Sequence, residues 1–357
     1  MKIKKIPIYI SQLITGKRRI HISFENNIEN DKNKFAIDLL TTKYPDLEKN
    51  TQVYKKLVGI DGICACSGSS AITDFLGEFS SCTSIGGVDS KENPGRGSDN
   101  TFEVDFFRDA HGVYELEKIC DFDCNRICGG AITDFIELVE QNTKVCKHFY
   151  NQQYLKSTQD FLLNILDLFF TWDKVTNCFY VKKLSKEQYR QIAKKYLLSI
   201  LENIPSKETL VLDNLLSITN PKDDVLTQYF GQYKLLLSIR DPRDVYTTAR
   251  SYPTFDLGYI PKDPYDFVKY YKWYLARNNF KDNPNTMIVQ FEDFVSNYDD
   301  VSKRIMQFVD LKEDEHVSKF AYFNPEISKN NIGIYKTYKD QDAIRIIEKE
   351  LSDYLYN

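Results

Sequence analysis

Two short stretches of this chain carry residue types suited to holding an anion. The first is Gly62-Ile-Cys-Ala-Cys66-Ser67-Gly68-Ser69-Ser70-Ala71. Gly68 tolerates positive φ and close backbone approach, so successive N–H groups can turn into one concavity. Ser69 and Ser70 open an apolar-periodic stretch, where hydroxyls and the positive end of a helix dipole both favour a phosphate. A serine-capped helix after a glycine turn would use the same letters, and that reading stays open at this point. The second stretch is Leu235-Leu-Leu-Ser-Ile-Arg240-Asp-Pro-Arg243-Asp244-Val-Tyr-Thr247-Thr248-Ala-Arg250-Ser251. Here a buried strand ends at Arg240, Pro242 breaks it, and a helix starts near Arg243. The planar fork of Arg240 matches a phosphate, and Thr248 can add a hydroxyl from the helix.

Arginine at the end of a strand serves a ligand best when the strand belongs to a parallel sheet. The chain supplies one. Leu57–Asp61, Glu208–Leu212, Tyr233–Ile239 and Thr286–Phe291 read as buried strands, each followed by polar or turn residues and a helix. That alternation implies a three-layer α/β fold of the P-loop type, a parallel sheet flanked by helices. Ala71–Phe79 reads as a helix, as does Asp342–Tyr356, while the polar stretch 25–34 reads as a surface loop. One domain is expected over residues 1–357, with an N-terminal extension over 1–56. The almost wholly helical stretch 114–203 is expected as an insertion packed on the sheet, shaping an acceptor cleft.

Composition narrows the partners. The 357 residues carry a net charge of −4, with 42% hydrophobic and 27% charged residues. No overall basic field draws the protein to nucleic acid, so any anion must be held locally. No apolar run approaches the ~20 residues that span a bilayer. Lys2, Lys4 and Lys5 followed by 6–13 look superficially like an export signal. Pro7, Tyr9, Ser11 and Gln12 interrupt that run, and it reads as an edge strand plus turn. The 8 cysteines are therefore expected to be reduced thiols of a cytoplasmic protein. Cys120, Cys124 and Cys128 recur every four residues, but no further Cys/His pair has ligand spacing, so no metal is expected.

The loop lacks the G-x-x-x-x-G-K-[ST] pattern of ATP and GTP hydrolases, since Ser67 and Gly68 stand where glycine and lysine belong. It does resemble the 5′-phosphosulfate loop of sulfotransferases that use 3′-phosphoadenosine 5′-phosphosulfate (PAPS), whose usual form is K/R-S-G-T-T. Ser67, Gly68, Ser69 and Ser70 match it, with serine for threonine. Arg240-Asp-Pro-Arg-Asp-Val resembles the same family's R-[DN]-P-R-D-V segment, which binds the 3′-phosphate. Thr248 stands at the family serine, eight positions on. Val289–Phe294 resembles the strand ending in [YF]-E-D-[LF], a structural feature there. Ser328–Lys336 resembles the closing loop K-G-x-x-G-x-W-K, with Tyr335 for tryptophan and Asn330 for the first glycine. The resemblance implies that Lys329 touches the 3′-phosphate, with Lys336 near.

The implied activity is transfer of a sulfuryl group from PAPS to a hydroxyl or amine. Such transfer is in-line and needs an acceptor held in place, a base for its proton, and cations on the leaving phosphate. The segment Asn100–His111 is the place for the base. Alternation at Phe102, Val104 and Phe106 puts Glu103 and Asp105 on one side. Carbohydrate sulfotransferases of the heparan N-sulfating type carry E-x-x-F-F here with glutamate as base. Glu103 before Phe106-Phe107 fits, which implies a carbohydrate acceptor; Asp105 and His111 are the reserves. Cys66 departs from the pattern, for the family has lysine or arginine there. Arg108, Lys329 and Lys336 are candidate substitutes, and without one, activity is reduced, since losing a single such donor costs ~10²–10³ in rate. Two other readings use the same features: a P-loop kinase or phosphotransferase, and a non-catalytic nucleotide- or glycan-binding protein.

Overall fold

In a computed structural model of the chain the described residues are 9–12, 20–23, 31–45, 54–85, 110, 112–117, 120, 125–145, 151–173, 178–181, 185–204, 206–213, 223–251, 260–277 and 282–356. Among them the strands are β1 (Tyr9–Gln12), β2 (Ile20–Ser23), β3 (Lys56–Gly62), β4 (Cys82–Ile85), β5 (Phe170–Asp173), β6 (Cys178–Val181), β7 (Thr209–Asp213), β8 (Lys234–Ile239) and β9 (Thr286–Gln290). The chain divides into two compact units.

One unit comprises Tyr54–Glu103, Ser206–Asn220 and Gln232–Asn357. Its sheet runs β4-β7-β3-β8-β9, and every neighbouring pair is parallel. The strands are short and buried at most positions, as strands covered on both faces must be. Val58 and Ile60 face one core, with Val211, Leu236 and Val289. Leu57, Leu210, Leu212, Leu235 and Leu237, of the opposite parity, are buried as well. The helices Ser69–Gly77, Phe291–Ser296 and Tyr298–Val309 give their apolar residues to the first core. The helices Pro242–Ser251, Pro264–Arg277 and Gln341–Glu350 form a second. The chain leaves β3 toward β4 on one side and later adds β8 and β9 on the other. The order therefore reverses between β3 and β8, and in open parallel sheets that crevice is where ligands bind.

The other unit comprises Met1–Val53, Val104–Pro205 and Pro221–Gly231. It holds the antiparallel pairs β1–β2 and β5–β6 and the helices Asp31–Thr41, Asn125–Val145, Gln152–Phe169, Lys186–Glu202 and Asp223–Phe230. Ser185 caps the fourth of these through a reciprocal box with Gln188. Arg190 grips Glu117 with two nitrogens, at 3.0 and 2.5 Å, and Phe161 stacks on Tyr196 at 4.3 Å.

Several boundaries differ from expectation for local reasons. The loop expected over 25–34 gives way at Asp31, where a helix begins. The stretch 114–203 is not wholly helical. It carries β5–β6, where Phe170, Trp172, Phe179 and Tyr180 prefer extended backbone. The fourth expected strand stops at Gln290, because Glu292 and Asp293 suit the first turn of a helix. The last helix ends at Glu350, and Ser352–Tyr354 turn as a 3-10 helix.

Candidate anion-binding site

The carboxyl ends of three strands lie side by side. Gly62 at the end of β3 is in register with Ser238 of β8, and Ile239 with Gln290 of β9. The Ser67 loop, Arg240 and Glu292 therefore emerge next to one another, though distant in sequence.

The loop after β3 is held by its own polar groups. Ser67 is 2% exposed. Its hydroxyl donates to the Cys64 carbonyl at 2.5 Å and accepts from the Cys64 N–H at 3.2 Å. The Ser238 hydroxyl donates to the Ser67 carbonyl at 2.5 Å. Two left-handed residues make the turn, Cys66 (φ 65) and Gly68 (φ 89). Gly68 is the N-cap of the helix Ser69–Gly77 and gives it no side-chain cap. Ser69 is half-buried, Ser70 is exposed, and nothing among the described residues engages either hydroxyl. The serines therefore divide by role: Ser67 is spent on the loop, and Ser69 and Ser70 keep free hydroxyls at a helix start.

Arg240 joins this loop to another. It is 5% exposed. Nη1 donates to the Cys66 carbonyl at 3.2 Å and Nη2 to the Asn331 carbonyl at 2.6 Å. Its guanidinium lies 5.0 Å from the Phe291 ring centre, and its own carbonyl accepts from the Tyr271 hydroxyl at 3.1 Å. Burial draws the Arg240 guanidinium below its ordinary pKa, against the pull of Asp244 and Glu292. Its Nε is buried without a partner, and so is the hydroxyl oxygen of Thr248. A buried polar atom without a protein partner calls for another partner, and here two of them come from the residues whose types suit a phosphate. The sequence nominated both residues for one phosphate.

The surrounding carboxylates and Arg243 are structural. Asp241 holds Arg243 at 2.7 Å, and Glu348 holds its other end at 2.9 Å. Glu292 is fully buried and accepts from the Asp241 N–H at 2.9 Å and the Gln290 amide at 2.5 Å. Burial raises its pKa. Asp244 fastens the closing loop by accepting from the N–H groups of Gly333 at 2.7 Å and Tyr335 at 3.1 Å. Lys329 sits in the 3-10 turn that ends at Asn331, and its ammonium pairs with Glu326 at 2.6 Å on the surface. Lys336 is exposed, with its ammonium 5.9 Å from the Tyr335 ring centre. No carboxylate pairs with it among the described residues.

Glu103, Asp105 and His111 lie outside the described residues, as does Arg108. Residues that the motifs did not single out also build the site. Asn331 offers only its backbone carbonyl to Arg240, a contact that side-chain chemistry cannot announce. Phe291 walls the loop at Gly68, and Arg250 lies on the Thr248 helix. Among the described residues no cluster of His, Cys, Asp and Glu could hold a metal ion. None of their helices is long and apolar enough to cross a membrane.

No protein-family model matches the chain, and no curated protein does. Among solved structures it is similar to the sulfotransferase domain of the Synechococcus PCC 7002 olefin synthase, at 12% identity over 88% of this chain and 99% of that one, with a TM-score of 0.36. It is also similar to the sulfotransferase domain from the curacin biosynthetic pathway, at 14% identity over 85% and 99%, with a TM-score of 0.40. Retinol dehydratase in complex with androsterone and the inactive cofactor PAP matches at 14% identity over 92% and 95%, with a TM-score of 0.33.

Proposed function

We propose that this protein is a sulfotransferase that takes PAPS as donor substrate and sulfates a hydroxyl or amine, with a carbohydrate as acceptor. One observation carries the reading. Arg240 touches the carbonyl of Cys66 in the first anion loop while its Nε and the Thr248 hydroxyl stay buried and unpaired. Two phosphate-binding motifs separated in sequence thus meet at one place, as a bisphosphorylated nucleotide requires.

In this reading the N–H groups after Gly68, with Ser69 and Ser70, hold the 5′ end of the donor, and Arg240 with Thr248 holds the 3′-phosphate. Lys329 and Lys336 lie on the closing loop as further cations. PAPS supplies a sulfuryl group whose bond to the 5′-phosphate oxygen breaks as the acceptor–sulfur bond forms. Glu103 takes the acceptor proton, with Asp105 and His111 in reserve. A domain built on the five-stranded sheet, an extension over 1–56 and a helical insertion over 114–203 that shapes the acceptor cleft belong to the same proposal. So does a cytoplasmic setting, where the free thiols of Cys64, Cys66, Cys82 and Cys120 stay reduced.

Thermal unfolding with adenosine 3′,5′-bisphosphate against ATP–Mg²⁺ tests the reading, since ligand at 100 times its Kd adds ~2.7 kcal/mol. Stabilisation by the bisphosphate alone is expected, and by ATP–Mg²⁺ alone would assign a kinase. A PAPS-consumption screen across glycan, phenol and amine acceptors then identifies the acceptor. Tight bisphosphate binding with no turnover on any of them would make the protein a binding module, the outcome that Cys66 favours.

A further inference from the structure

Arg250 lies in the second anion-suited stretch without a role there, yet it is placed like a ligand-binding residue. It lies near the end of the helix Pro242–Ser251, two residues after Thr248. One nitrogen, Nη2, donates to the carbonyls of Ile260 and Pro261, both at 2.8 Å. The guanidinium lies 5.3 Å from the Tyr246 ring centre. Its Nε is buried without a partner, as is that of Arg240.

Other arginines described in this unit are paired with carboxylates or exposed, as Arg304 is. Arg243 has Asp241 and Glu348, and Arg345 has Asp342. Arg240 and Arg250 have no carboxylate in salt-bridge contact among the described residues, although Arg240 is buried and Arg250 is half-buried with its Nε shut away from solvent. Unpaired charge of that kind is costly, and it persists where an anion balances it.

Both arginines bear on one residue. Cys66 packs on the cluster that contains Tyr246 and Ile260, the residues against which Arg250 is set. Burial raises the Cys66 thiol pKa, while Arg240 and then Arg250 pull it down. Position 66 is where the loop is expected to carry lysine or arginine. A small neutral side chain there is what two neighbouring guanidinium groups would tolerate.

We propose that Arg250 supplies, from this helix, the positive charge that position 66 lacks, and binds the 5′-phosphate side of the nucleotide. The cation has in effect moved from the loop to the helix, where a longer side chain reaches back. This rests on the sulfotransferase reading for the identity of the nucleotide.

The test compares affinities for adenosine 3′,5′-bisphosphate and adenosine 3′-monophosphate by calorimetry. Arg250→Met is expected to lose about 10- to 100-fold on the bisphosphate, as for a charge-assisted hydrogen bond, and to leave the 3′-monophosphate unchanged. Arg240→Met should weaken both. Cys66→Lys alone, a third cation between two arginines, should gain nothing, whereas Cys66→Lys with Arg250→Met should regain bisphosphate binding. Should Arg250→Met not fold, Arg250→Gln keeps a donor for the Ile260 carbonyl and gives the same ratio. Equal losses on both nucleotides, or no loss, overturn the inference alone. A native chain that binds neither overturns the functional reading and this inference together.

Discussion

The Phe291 ring fills the space into which a side chain on Gly68 would project: a β-carbon there would stand 2.5 Å from Phe291 Cδ2. One residue opens the loop helix and the other begins the helix after β9. Gly68 also has φ 89, which disfavours any side chain. Gly68→Ala therefore meets two penalties, left-handed strain and overpacking, together about 2–5 kcal/mol. Chemical unfolding should show Gly68→Ala costing less in a Phe291→Ala background than in the native chain, because alanine removes the ring atoms the new β-carbon would meet, while the share due to φ remains. A double variant as stable as Phe291→Ala alone would mean that the φ of Gly68 carries no cost.

The serines should separate by assay. Ser67→Ala removes a buried hydroxyl that both donates to and accepts from Cys64, so it should cost about 1–3 kcal/mol of stability. Ser70→Ala alters an exposed side chain and should change stability by no more than about 0.5 kcal/mol, while weakening adenosine 3′,5′-bisphosphate binding. Measuring melting and affinity on both variants checks this. The reverse pattern, with Ser67 governing affinity and Ser70 stability, would contradict the division of roles.

Much of this arrangement is legible in the sequence because side-chain chemistry and apolar patterning agree there. Arg240 and Thr248 could be nominated as one site, since a buried strand, a proline break and a helix fix their spacing. Ser67 could not be told from Ser69 and Ser70. Whether a hydroxyl turns inward depends on the left-handed backbone at Cys66, and nothing in a Cys-Ser pair signals that. β4 goes unread because Cys82–Ile85 is too short to show a period. Asn331 and Arg250 escape for a further reason. The first acts through its carbonyl, and the second is set by the fold against the Tyr246 ring and the carbonyls of Ile260 and Pro261, contacts that its own segment does not announce.

Asp244 should behave as a clasp for the closing loop. Its two oxygens each accept one backbone N–H, from Gly333 and Tyr335. Asp244→Asn turns one acceptor into a donor that faces an N–H, so a bond is lost and two donors are opposed. Hydrogen exchange should show faster exchange at Gly333 and Tyr335, by a factor matching about 1–3 kcal/mol. The amides of the helix Ser69–Gly77 should keep their protection. Uniform acceleration across both regions would point to global destabilisation instead of a released clasp.

Glu292 gives the clearest pH signature. Burial raises its carboxyl pKa, and the hydrogen bonds from Asp241 and Gln290 only partly oppose this. The folded state therefore holds the proton more tightly than the unfolded chain, whose value is about 4.3. Between those two values the folded state binds more protons, so unfolding free energy falls as pH rises. The stabilisation is complete below the unfolded value and lost through the folded one. Glu292→Gln keeps an acceptor for the Asp241 N–H and has no proton to lose, and Gln290 can turn its amide to match it. Asp244, raised by burial as well, has the same sign and remains in both proteins. Denaturant titrations across this window should thus show native stability declining relative to Glu292→Gln as pH increases, with the two curves converging in acid. If the native chain instead gains on the variant as pH rises, the Glu292 carboxylate is favoured by its surroundings, and its burial is not the dominant influence.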